Sequence, residues 1–172
     1  GATYESRYWG RNLKVTLVEN DGGCNVMEVN CLRLNDGRIA LFRAGDNVRR
    51  FNRSAARMCM PEVDEGFFLD AIRQLVRLEA DWVPRSAGTA LYIRPTMIAT
   101  DPYLGVKPSD SYLCYVILSP VGAYYKGGFS PVKIWISDEY VRAALGGTGE
   151  AKTGGNYAAS LLASMEAASR GY

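Results

Sequence analysis

The sequence predicts an α+β fold, and three observations carry that prediction. Residues 12–19 alternate polar and apolar side chains, and Asn/Asp-Gly turns punctuate the stretch from there to residue 43, as antiparallel strands require. Residues 46–78 hold two stretches whose apolar positions recur at helical spacing. Two β-rich apolar runs follow, at 89–101 and 111–120. A sheet carrying two helices, followed by the opening of a second domain, satisfies all three.

Taken in order, NLKVTLVE at 12–19 reads as a strand, and Asn20-Asp21-Gly22-Gly23 as the turn that ends it. NVMEVNCLR at 25–33 and RIALFR at 38–43 form a hairpin whose reversal is set by Asn35-Asp36-Gly37. Asp46 is placed to cap a helix running to about Met58, with Val48, Phe51, Ala55 and Met58 on one face and Pro61 beyond its end. A second helix begins near Asp64. Its stripe is Phe68, Ala71, Ile72, Leu75, Val76 and Leu78, and Pro84 lies past its end. TALYIRPTMIATD is β-rich, with Pro95 arguing for an edge or a bulge. SYLCYVILSP reads as a buried strand. VGAYYKGGFSP, with its glycines, aromatics and prolines, reads as a linker. PVKIWIS reads as a strand, GGTGEAKTGG as a glycine-rich loop, and NYAASLLASMEAAS as a helix ending before Gly171.

Composition bounds the function. The 172 residues are 48% hydrophobic and 22% charged, enough to bury a core. A formal charge of +2 gives no global reason to expect nucleic acid or an anionic membrane. No apolar run approaches the ~18 residues of a membrane span, and GATYESRYWGRNLK lacks the apolar core of a signal peptide. The expected location is cytoplasmic. Cys24, Cys31, Cys59 and Cys114 form no CxxC pair and read as reduced core residues. With no histidine in the chain, the usual zinc sites and the Ser-His-Asp and Cys-His constellations are absent. No metal is expected. Acid–base chemistry falls to Lys, Tyr, Cys or carboxylates.

The segment GGTGEAKTGGNY concentrates the chemistry. Glycines flank Lys152 on both sides and let the backbone approach a ligand. Such a lysine can form a Schiff base when its surroundings favour the neutral amine. A solvated lysine on a flexible loop is the plainer reading of these residues by themselves. Ala151 stands where a phosphate-binding P-loop would need glycine.

VRAALGGTGEAKTGGNYAASLLASMEAA resembles the lysine segment of the branched-chain amino-acid aminotransferases, pyridoxal-phosphate enzymes of fold type IV. TALYIRPTMIATDPYLGVKP, VILSPVGAYYKGG, PVKIWIS and ALFRAGDNVRRFNRSAARM match further stretches of that family, in the same order, from about residue 34 to residue 172. The resemblance implies a small N-terminal sheet-and-helix domain over 1–120, an interdomain linker at 121–130, and the opening part of the cofactor domain over 131–172. It implies reversible amino transfer between leucine, isoleucine or valine and 2-oxoglutarate or glutamate, in a homodimer.

The resemblance also assigns residues. Lys152 matches the lysine that holds pyridoxal 5'-phosphate and shuttles the proton at the substrate α-carbon. Arg50 matches the phosphate-binding arginine, a role its bidentate guanidinium suits. Tyr157 matches the tyrosine on the cofactor's phenolic oxygen. Tyr92 and Arg94 match substrate-side positions near the carboxylate, and Tyr124 an aromatic on the loop that closes over the substrate. Without the resemblance, Arg50 belongs to a basic helix face with Arg49, Arg53 and Arg57, and the others read as ordinary structural side chains.

Two departures accompany the matches. Family enzymes continue past Tyr172 with a glutamate for the pyridine nitrogen, further phosphate donors and a carboxylate-binding turn, so the chain alone is expected to transaminate poorly. Before Leu34, VENDGGCNVMEVNCLR replaces the family's His-Tyr-Gly and Phe-Glu-Gly elements. A second reading is therefore a catalytically incompetent fragment or degenerate paralogue, kept as a folding or dimerisation module.

Overall fold

A computed structural model describes residues 3–8, 11–16, 24–122 and 131–172, the first two stretches and residues 24 and 26 as backbone alone. Strands β1 (Thr3–Tyr8) and β2 (Arg11–Thr16) form an antiparallel two-stranded sheet. A second sheet holds β3 (Cys24–Val26), β4 (Val29–Arg33), β5 (Ile39–Leu41), β6 (Ala90–Ala99) and β7 (Tyr112–Val121), all paired antiparallel. Helices α1 (Ala44–Arg57) and α2 (Glu65–Leu78) cover one face of it.

The strand expected over 25–33 is interrupted at Met27 and Glu28, and the cause lies across the ladder. Val26 pairs with Thr96 and Val29 with Ile93, so one continuous register sets Met27 opposite Pro95 and Glu28 opposite Arg94. The Met27 amide donates to the Pro95 carbonyl at 2.8 Å. Proline has no N–H with which to answer, so the ladder is broken there while the pleat runs on. Asn25, Met27, Val29 and Cys31 accordingly all point into the core. Pro95 was expected to mark an edge or a bulge. It sits instead in the central strand, between β3–β4 and β7, and the broken ladder accommodates it.

The core is the layer between this sheet and the two helices. Leu91, Ile93 and Met97 of β6 meet Val48, Phe51 and Ala55 of α1 and Phe68, Ile72 and Val76 of α2. Phe51 and Phe68 stack with ring centroids 5.5 Å apart, an arrangement aromatic pairs favour. Asn52 trades two hydrogen bonds with the backbone of Val63, at 2.9 and 3.0 Å, and so fixes how the chain passes from α1 to α2.

Helix boundaries follow local chemistry. Asp64 caps α2, its carboxylate accepting the Phe67 amide at 2.7 Å. Asp46 does not cap α1: the helix starts earlier, from Arg43 in the left-handed region (φ 49°). Asp46 instead lies in the first turn, where a negative charge suits the helix dipole, and pairs with Arg43 and Arg49. The Asp36-Gly37 reversal is as expected, with Gly37 at φ 83°.

Three other expectations are corrected. The apolar run of β7 is covered on one face only: Leu113, Tyr115 and Ile117 are exposed on the other. PVKIWIS forms no strand, because no strand among the described residues lies beside it to share a ladder. Its Trp135 packs under the Arg170 guanidinium (4.2 Å to the ring centroid) and near Tyr172. The last helical stretch is two helices, α3 (Gly154–Ala158) and α4 (Leu161–Ser169). At the break, the Ser160 hydroxyl donates to the Tyr157 carbonyl at 2.8 Å and competes with helix continuation. Of the described cysteines, Cys31 is buried, whereas Cys59 and Cys114 are exposed; all three are free thiols.

Candidate active site

The glycine-rich loop is shaped by contacts only glycine allows. Gly146 adopts φ +73°, and a Cβ on Gly149 would fall 2.6 Å from the Ala143 Cβ. Helix α1 grips this loop. Arg50, Ser54 and Arg57 fall at i, i+4 and i+7, one face of the helix. Arg57 donates to the carbonyls of Gly146 (2.9 Å) and Gly147 (3.0 Å). The Ser54 hydroxyl accepts the Lys152 amide at 3.0 Å. Beyond Lys152, Thr153 bridges to Asn25 at the end of the sheet. Asn156 reaches back to the carbonyls of Thr148 and Ala151, both at 2.7 Å, and locks the loop from behind.

This scaffold leaves the Lys152 side chain 15% exposed, with its amine between two residues, Tyr157 and Glu28. It donates a short hydrogen bond to the Tyr157 hydroxyl and lies 5.1 Å from that ring's centroid. Glu28 Oε2 is 3.2 Å away. Glu28 belongs to the outer face of the sheet, which it shares with Asn30, Tyr92 and Arg94. The Tyr92 hydroxyl accepts from Arg94 at 3.0 Å. The Arg94 guanidinium also stacks 5.0 Å from the Tyr92 ring centroid.

The electrostatics follow from these contacts. Burial pushes the Glu28 carboxyl up, but hydrogen bonds from Tyr92 and Lys152 and the charges of Lys152 and Arg94 outweigh it, so it lies below the ordinary carboxylate range. Burial, reinforced by the hydrogen bond to Glu28, pushes the Tyr92 phenol up and keeps it a donor. A groove of about 750 Å³ opens on this face, lined by Glu28, Asn30, Tyr92, Arg94, Ile117 and Ser119 among others.

Of the expected site residues, Lys152 and Tyr157 touch, and Tyr92 and Arg94 touch, with Glu28 joining the two pairs. Arg50 stands one helical turn from Ser54 and donates to Asn47 Oδ1 at 2.8 Å. Tyr124 lies outside the described residues, as does most of the expected linker. Glu28, Ser54 and Arg57 were not expected. Glu28 had one signal, the single carboxylate in the strand run 25–33, while Ser54 and Arg57 had none beyond their helical spacing from Arg50.

The amino-transferase class IV family model matches residues 27–172, beginning earlier than the stretch that carries the resemblance. The chain belongs to that family. Among curated family members, branched-chain-amino-acid transaminase 1 of Bacillus subtilis is 57% identical over 141 residues, 81% of this chain and 40% of that protein. The branched-chain-amino-acid aminotransferase of Mycobacterium tuberculosis is 53% identical over 137 residues, 79% of this chain and 37% of its own. The chain thus spans about 40% of the length of such family members. Among solved structures, the Escherichia coli branched-chain aminotransferase superposes with a TM-score of 0.58 at 25% identity, over 88% of this chain and 47% of that one. A Thermoproteus uzoniensis branched-chain aminotransferase with norvaline shares the fold at a TM-score of 0.69 and 21% identity, over 99% and 58% of the two chains. Among the described residues, no helix is long and apolar enough to cross a membrane.

Proposed function

We propose that the chain is the cofactor-anchoring part of a branched-chain amino-acid aminotransferase, moving an amino group reversibly between leucine, isoleucine or valine and 2-oxoglutarate. The observation that carries this is the meeting of the Lys152 amine with the Tyr157 phenol beside a loop held by Ser54 and Arg57 of α1, with Arg50 one turn away on the same helix. The donor set fits pyridoxal 5'-phosphate: a primary amine for its carbonyl carbon, a phenol for its phenolic oxygen, and a guanidinium for its phosphate. When bound, that cofactor supplies the electron sink transamination needs.

In this reading Lys152 is the covalent anchor and carries the proton to and from the substrate α-carbon. Tyr157 orients the cofactor ring through its hydroxyl, and Arg50 holds the phosphate. Tyr92 and Arg94 present a donor pair on the groove wall for a substrate carboxylate, and Tyr124 is the aromatic that closes over it. The small domain is residues 1–120, the linker 121–130, and the cofactor domain opens at 131. The working protein is a cytoplasmic homodimer, a reading supported by the apolar outer face of β7 and by the three free thiols.

The test is covalent. The chain is mixed with pyridoxal phosphate, reduced with borohydride and mapped by peptide mass. The adduct belongs on Lys152 and vanishes in Lys152→Ala. Equal yield on Lys14, Lys107, Lys126 or Lys133 would overturn the assignment.

A further inference from the structure

Lys152 has two polar neighbours, and only the phenol is accounted for by the proposed function. Glu28 approaches from a different part of the chain, at the point where Pro95 interrupts the pairing of β3 and β4 with β6. Glu28 shares the outer sheet face with Tyr92 and Arg94, which are joined at 3.0 Å. Glu28 belongs to the sheet, whereas the Lys152 amine rides on a four-carbon stem and is the part of the pair able to swing.

An amine that leaves the cofactor and returns once per half-reaction has to stay within reach meanwhile. We propose that Glu28 is a positioning residue that seats the free Lys152 ammonium, so that the amine rests between the Glu28 carboxylate and the Tyr157 phenol whenever it is not covalently engaged. The inference rests on the reading of Lys152 as the cofactor lysine. The charged and titratable groups facing the pair are Tyr92 and Arg94 from β6 and Tyr157 from α3. Glu28 is the carboxylate among these described groups, and so supplies the counter-charge to the ammonium.

The experiment is competitive acetylation of the cofactor-free chain at neutral pH, with Lys152 read by mass against exposed Lys133. Glu28→Gln keeps the shape and removes the charge, and should raise the relative rate at Lys152 about fivefold, the upper range for a partly exposed ion pair. Tyr92→Phe keeps the Glu28 carboxylate and its charge, and should raise the rate at Lys152 clearly less than Glu28→Gln does. An unchanged rate in Glu28→Gln, or equal acceleration in both variants, overturns the proposal; the second result would mean that Glu28 merely holds the sheet face together. Should Glu28→Gln fail to fold, Glu28→Asp is read instead: it keeps the charge and should stay near the wild-type rate, and a fivefold rise overturns the proposal. A parallel arm adds pyridoxal phosphate and borohydride. Loss of the Lys152 adduct there, with the acetylation contrast intact, sinks the cofactor reading and leaves the Glu28 seat standing.

Discussion

The Ser54 hydroxyl accepts the backbone amide of Lys152 at 3.0 Å across 98 positions of sequence. Ser54 is 2% exposed and sits on α1, so the bond ties the glycine-rich loop to a helix packed into the core. The position of the lysine is thus set by a helix that carries Arg50 one turn away.

Removing that tie should be costly. Ser54→Ala leaves the Lys152 N–H without its acceptor, and we expect about 1–3 kcal/mol of lost stability by urea denaturation. The yield of the cofactor adduct should fall with it. A loss under about 0.5 kcal/mol would place the amide in water and remove the hydroxyl from the argument.

Arg50→Lys should weaken pyridoxal phosphate binding about tenfold, while Arg49→Lys leaves it nearly unchanged. Lysine keeps the charge and loses the fork that pairs with phosphate. Arg49 is engaged with Asp46 at the exposed start of α1, about a hundred degrees around the helix from Arg50. Titration followed by absorbance reads both, and equal losses would mean that the helix acts only as a diffuse basic surface.

The close approach of Gly149 to Ala143 gives a reciprocal test. Gly149→Ala places a methyl 2.6 Å from the Ala143 Cβ. Overpacking of this kind typically costs about 1–3 kcal/mol. Adding Ala143→Gly should recover part of that loss, because the obstructing Cβ is then gone. Strict additivity of the two changes in a double-mutant cycle would show that the contact carries no strain.

Glu28 should also leave a mark on stability in acid. Its carboxyl lies below the usual 4.5 in the folded chain, so the unfolded chain takes up the proton first as the pH falls. Its contribution is therefore fully present above the unfolded value and disappears as the pH drops through the folded one. The gap in urea midpoint between wild type and Glu28→Gln should be constant near neutral pH and narrow as the pH falls below 4.5. A gap that persists unchanged in acid would mean that the ionised carboxylate is not what stabilises the fold there.

Much of the fold was legible because it rests on local periodicity. The Asp36-Gly37 hairpin, the Asp64 cap and the stripe of Phe68, Ile72 and Val76 follow from spacing and turn chemistry alone. Where partners decide, local signals failed. PVKIWIS has strand composition, but a strand exists only as part of a ladder, and none is offered among the described residues. Pro95 signalled an edge because the sequence cannot show that a central strand tolerates one unanswered carbonyl.

The site divides the same way. By itself the sequence determined Lys152 between its glycines, Tyr157 shortly after it, and the pair Tyr92 and Arg94 two apart on one strand face. Those are short-range facts, fixed by helix and strand periods. Only the tertiary structure decided that Ser54 and Arg57 hold the loop, that Tyr157 turns towards the lysine, and that Glu28 joins Lys152 to Tyr92 and Arg94. These contacts span from a handful of residues to more than a hundred. They come from burying one face of the sheet under α1 and α2, which leaves the polar residues of the other face to meet the glycine-rich loop, and no local pattern encodes which distant residue that burial brings near.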